Sequence, residues 1–213
     1  ATPMSRLTLS FGCWNYDRTR ALADGTVAPD GIDLNYLEMP VEETFFRMLR
    51  HREFDVAEMS LSSYTLSLFR DPRQFVAIPV FPSRFFRHSC IYVNANAGIR
   101  TPADLIGKRV GVPEYQITAV VWMRGMMQHE YGVLPTEIHW RNGGQEQSGR
   151  QERTPLKPIP GLDLKPLGPE QTLVGIRNVI DRAVFSTTRQ REMKGLGHAT
   201  LTAVGGAVPV EVA

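Results

Sequence analysis

At 213 residues, 42% hydrophobic and 22% charged, the chain has the make-up of an ordinary globular protein with one large or two small domains. Its 24 basic and 22 acidic residues leave a formal charge of +2 with no dense basic block, so charge excludes nucleic acid and membrane as partners. Two cysteines outside any C-x-x-C pair exclude a disulfide scaffold and a structural zinc site, and no apolar run has transmembrane length. Residues 7–12 alternate with period two and predict a strand, followed by a polar and aromatic loop and a short helix ending near Gly25. Residues 32–37 alternate again. Pro40, Glu42 and Glu43 then open a helix with Val41, Phe45, Met48 and Leu49 as its buried stripe. Residues 54–60 predict a third strand, 61–69 a helix, and 75–78 and 90–93 two further strands.

A second unit is expected from about Asn94. Thr101, Pro102 and Asp104 form a capped helix start, and 107–112 a glycine-bounded strand. A helix runs to about Tyr131 with Ile117, Val120, Val121, Met127 and Tyr131 on one side, and Gly132 ends it. Residues 137–140 predict a strand, 143–160 a mobile polar excursion, 171–181 a helix and 182–185 a last strand. The final twenty residues are small, nearly uncharged and poorly patterned, and no ordered element is expected there. The β-α-β-α order argues for an α/β fold with a largely parallel sheet. Residues 1–10 lack the features of a secretory signal, so a cytoplasmic location is expected.

In open α/β sheets, ligands bind beyond the carboxyl ends of strands and at helix N-termini. Residues 12–17, 59–64, 82–89 and 113–118 occupy such positions. The third places Arg84, Arg87 and His88 around Phe85 and Phe86. Guanidinium forks pair with carboxylates, rings stack on a flat ligand, and a histidine moves a proton near neutral pH. The same residues also fit a solvated surface turn with core phenylalanines. Ser60, Ser62 and Ser63 fit ligand contacts or helix caps, and Trp14 and Tyr115 fit stacking or packing. Glu114, between a strand and a helix start, fits proton transfer or a helix-dipole partner. Phosphate-cradling glycine motifs and hydrolase and zinc-protease signatures are absent, and His129 and His139 lack metal-ligand spacing.

Residues 15–22, 45–50, 53–64, 81–84, 86–89, 92–94 and 107–115 resemble the 4,5-dihydroxyphthalate decarboxylase family. The resemblance runs from about Leu7 to about Trp140, and weakly on to about Thr172. It implies a two-lobed fold of the type II periplasmic-binding-protein kind, with a first lobe over 1–93 and a partial second lobe over 94–190. Because the match fades after 171–173, a divergent, disordered tail over 191–213 is expected, and with it a truncated or frameshifted product. The implied reaction is cofactor-independent loss of one carboxylate from an aromatic dicarboxylate such as 4,5-dihydroxyphthalate. The alternative is a non-catalytic substrate-binding protein for a small carboxylate. Residue chemistry within that reaction assigns Arg84 and Arg87 to the carboxylates and His88 or Glu114 to proton transfer. Asp17, Arg18, Ser62 and Tyr115 are further substrate contacts. No metal or cofactor is expected, and the sequence assigns no oligomeric state.

Overall fold

The computed structural model describes residues 6–94, 97–152, 156–175, 183–185 and 198–200. The chain divides into two compact units, residues 1–85 and 86–213. In the first, strand β1 (Leu7–Cys13) lies between β2 (Ile32–Glu38) and β3 (Val56–Ala57), and all three are parallel. Parallel neighbours need crossover connections, here carrying helix α1 (Arg20–Ala23) between β1 and β2 and α2 (Val41–His51) between β2 and β3. Helix α3 (Leu61–Ser67) follows β3. Glu42 and Glu43 sit in the first turn of α2 and Arg50 and His51 in its last, matching the helix dipole at both ends. The expected stripe of α2 is half-buried, and Thr44 is its one fully buried residue.

Two expected strands of this unit change. The third shrinks to Val56–Ala57, and residues 75–78 pair with no strand among the described residues. Val76 is 95% exposed, so β-branched composition alone does not make a strand without an edge to pair with.

The second unit is built on a six-stranded sheet in the order β7-β6-β5-β8-β4-β9 among the described residues. Its strands are β4 (Ile91–Asn94), β5 (Arg109–Val112), β6 (His139–Asn142), β7 (Asp163–Pro166), β8 (Ala183–Phe185) and β9 (His198–Thr200). β5, β6, β7 and β8 run parallel, and β4 runs antiparallel to β8 and β9. Helix α4 (Thr118–Tyr131) covers this sheet with Val120, Met123 and Met127, which pack with Leu105, Val110, Val112, Ile138 and Trp140 in one core. Gly132 ends α4 at φ 70°, as the sequence predicts.

Several expectations are corrected here. Ile91–Asn94 pairs inside the second unit, because its partners are β8 and β9. Val121 is exposed, since the buried face of α4 runs through Ala119, Val120, Met123, Met126 and Met127. Strand β7 lies in the stretch 161–170, for which the sequence predicts no element, and β9 falls within the tail where none is expected. Residues 171–175 form a turn instead of a helix start; the rest of that expected helix, and the tail beyond Thr200, lie outside the described residues.

Candidate functional site

Each unit gathers polar side chains beyond the carboxyl ends of its parallel strands. In the first unit the focus is Glu58, directly after β3 and 7% exposed. Its Oε1 accepts the Trp14 backbone N–H at 2.7 Å, and its Oε2 accepts the Tyr16 hydroxyl at 2.9 Å. The Cys13 thiol, at the end of β1, also hydrogen-bonds it. Burial outweighs these three donors and holds the Glu58 carboxyl above its ordinary value of 4.5. Burial likewise pushes the Cys13 thiol up to about 11 and the Tyr36 phenol up to about 12. Tyr36 donates to the Trp14 carbonyl at 3.0 Å and shares its hydroxyl with Thr19 at 3.1 Å, tying β2 to the same loop.

The surface side of this cluster carries cations. The Arg18 guanidinium stands 5.0 Å from the Tyr16 ring centroid, pairs with Asp17 at 2.8 Å, and donates through Nε to the Pro82 carbonyl. Ser83 hydrogen-bonds the Tyr16 hydroxyl. Pro82 and Ser83 are therefore docked against the strand ends, and Arg84, next in sequence, is exposed. Ser62 lies in the first turn of α3, 3.1 Å from Ser60 through their hydroxyls.

In the second unit the focus is the segment between β5 and α4. Glu114 is 2% exposed and receives Arg150 in two contacts, from Nε at 2.8 Å and Nη2 at 2.6 Å. Glu152 accepts the Tyr115 and Gln116 backbone N–H groups, the latter at 3.4 Å, and the Asn142 side-chain amide at 3.2 Å. Burial, with the Glu114 charge adding to it, raises the Glu152 pKa. Gly144 permits the turn that returns Arg150 and Glu152, because a Cβ there would collide with the Gln147 carbonyl oxygen. Asn142 Oδ1 and Gln116 Oε1 are buried without a hydrogen-bond partner among the described residues. Tyr115 is a packing residue, edge-on to Trp140 at 5.5 Å, with Arg124 over its ring.

The residues put forward by the sequence therefore separate. Asp17, Arg18, Ser62 and Arg84 belong to the first unit, and Arg87, His88, Glu114 and Tyr115 to the second. Arg87 is half-buried in a 3₁₀ turn, with Nη1 4.0 Å from Cys90 Sγ, and His88 Nε2 lies 3.2 Å from Glu130. Among the described residues no cluster of three or more His, Cys, Asp or Glu has the geometry to hold a metal ion. Sequence reasoning missed Glu58, Tyr16, Arg150, Glu152 and Asn142. A carboxylate directly after the Val56-Ala57 pair was the local signal for Glu58; Arg150 and Glu152 had none.

No protein-family model matches the chain. It is 49% identical over 161 residues to a 4,5-dihydroxyphthalate decarboxylase of Comamonas testosteroni, covering 76% of this chain and 49% of that protein. A 4,5-dihydroxyphthalate decarboxylase of Pseudomonas putida is 44% identical over 174 residues, 81% of this chain and 67% of that protein. The chain thus spans about half the length of the first relative and two thirds of the second. A separate likeness, 67% identity over 33 residues, is to a UTP–glucose-1-phosphate uridylyltransferase of Pseudomonas aeruginosa, covering 16% of this chain and 12% of that protein. Among solved structures, the periplasmic aliphatic sulphonate binding protein of Escherichia coli is similar over 64% of this chain and 47% of its own, with TM-score 0.41 and 16% identity. The α/β class rests on the parallel sheets themselves and not on that likeness. The identities to the two decarboxylases, over three quarters or more of its length, show that the chain belongs to the 4,5-dihydroxyphthalate decarboxylase family.

Proposed function

We propose that this protein removes one carboxylate from an electron-rich aromatic dicarboxylate, with 4,5-dihydroxyphthalate as substrate and a catechol monocarboxylate and CO2 as products. The observation that carries the reading is the polar cluster of Glu58, Tyr16 and Arg18 at the strand ends of the first unit, with Pro82 and Ser83 docked on it, in a chain of this family. The hydroxyl para to the departing carboxylate pushes electron density onto the carbon that bears it. An acid protonates that carbon, the carbon–carbon bond breaks, and its electron pair restores the aromatic ring as CO2 leaves. The remaining carboxylate needs a cation, a role suited to the exposed guanidinium of Arg84 in the same unit.

The protein's own residues supply binding and one proton in this scheme, with no organic cofactor. The compartment proposed is the cytoplasm, in keeping with two cysteines that are both buried and unpaired. Incubation with carboxyl-labelled 4,5-dihydroxyphthalate tests the reading: labelled CO2 should appear in step with the catechol monocarboxylate. Saturable binding without CO2 would instead mark a non-catalytic carboxylate-binding protein.

A further inference from the structure

We propose that Tyr16 is the group that protonates the ring carbon and that Glu58 resupplies its proton, a two-residue relay inside the first unit. This rests on the decarboxylase reading. Three observations lead to it. Glu58 is a carboxyl at 7% exposure, placed at the carboxyl end of a parallel strand where the core has no use for a charge. A burial this deep is costly for an ionised group, and a neutral or apolar side chain would fill the space more cheaply. The carboxyl is nevertheless held in a fixed orientation, by the Trp14 amide on one oxygen and the Tyr16 hydroxyl on the other.

Tyr16 provides the way out. It is half-buried, its hydroxyl is 2.9 Å from Glu58 Oε2, and its ring faces the half-exposed Arg18 guanidinium at 5.0 Å. In this proposal a substrate carboxylate shares Arg18 with Asp17 and the Pro82 carbonyl, which holds the substrate ring on the side of Tyr16. The other proton donors considered are already engaged: Glu114 is gripped twice by Arg150, and His88 lies against Glu130.

The titratable groups around Glu58 are Cys13 on β1, Tyr16 on the loop after it, and Tyr36 on β2. Burial raises all three, so each stays neutral at neutral pH and none competes as a base for the Glu58 proton. Burial also keeps the Glu58 carboxyl protonated to higher pH than an exposed glutamate. With Glu58 protonated, the 2.9 Å bond between the two reverses, Oε2–H donating to the Tyr16 oxygen and leaving the phenol O–H to turn to the substrate. In the step itself, that phenol proton forms the new C–H bond at the carbon bearing the departing carboxylate, while the Glu58 proton moves to the Tyr16 oxygen. The carbon–carbon bond then breaks, its electron pair returns to the ring, and CO2 leaves. Glu58, left as a carboxylate, takes a proton from solvent. Tyr16 is the catalytic residue in this scheme, and Glu58 acts through it.

The test measures kcat and KM for 4,5-dihydroxyphthalate across pH, with calorimetric Kd, in the wild type, Glu58→Gln and Tyr16→Phe. Glu58→Gln keeps an acceptor for the Trp14 amide, and Tyr16→Phe keeps the ring, so one variant covers for the other if either misfolds. The expected loss in kcat is about 10²- to 10⁴-fold in both, with Kd within about threefold of wild type. Wild-type kcat should fall as pH rises and Glu58 ionises, and that fall should disappear in Glu58→Gln, whose side chain does not titrate. A purely structural glutamate would leave the alkaline limb in place. Undiminished kcat in both variants beside an active wild type overturns the relay and leaves the decarboxylase reading standing. A wild type that releases no CO2 overturns the reading, and the relay with it.

Discussion

Arg124 lies over Tyr115: its guanidinium carbon is 3.6 Å from the ring centroid, and its Nη2 donates to the Tyr115 carbonyl at 3.0 Å. One side chain from the second turn of α4 thus clasps the segment that enters the helix. The same segment carries Glu114 and presents the backbone N–H groups that Glu152 accepts. Burial lowers the Arg124 pKa from the usual arginine range.

Arg124→Leu removes both contacts while retaining apolar bulk. A desolvated cation–π contact and one hydrogen bond together predict a loss of about 1–3 kcal/mol, read as a lower urea midpoint with unchanged slope. A midpoint equal to wild type would mean the clasp contributes nothing to folding.

Glu152 and Glu58 make stability fall with rising pH. Each has a pKa raised in the folded state above the ordinary 4.5, so between those values the native state binds more protons than the unfolded chain. Unfolding free energy therefore declines as pH rises through that window. The Glu152→Gln variant should show a shallower decline in urea midpoint as pH rises above the ordinary glutamate value of 4.5. Identical slopes in the two proteins would contradict the assignment. Asp55 and Asp104 work in the opposite sense at lower pH. Backbone and hydroxyl donors depress their pKa values, so their contribution is present above the ordinary value of 3.8 and is lost on acidification.

Gly132 closes α4 at φ 70°, with its N–H on the Met127 carbonyl. An L-residue is strained in that region, so Gly132→Ala should cost about 1 kcal/mol by thermal or urea unfolding. No cost would mean the helix end rearranges freely.

That helix end was legible because its signal is local: an apolar face, then a glycine. The same holds for β1 and β2, whose alternation can be read directly, and for the Thr101–Asp104 cap, where Asp104 accepts the Thr101 N–H at 2.7 Å. The site was legible only by segment. Residues 12–17 and 113–118 do stand at strand ends, but what each side chain does there depends on partners far along the chain. Tyr16 meets Glu58 across 42 residues, and Arg150 meets Glu114 across 36. Period and composition hold no record of such pairings, so the polar run 143–160 reads as an excursion although its Arg150 and Glu152 return to the strand ends. Residues 75–78 mislead in the opposite way, because a β-branched run has strand character whether or not a neighbouring edge exists.

Decarboxylation is the claim on which the rest of the account stands, and proton NMR of the purified chain with 4,5-dihydroxyphthalate in D2O tests it most directly. The account predicts a catechol monocarboxylate with one deuterium on the ring carbon that lost its carboxylate, and one CO2 for each molecule formed. Substrate recovered unchanged, with no deuterium incorporated and no CO2, would contradict it.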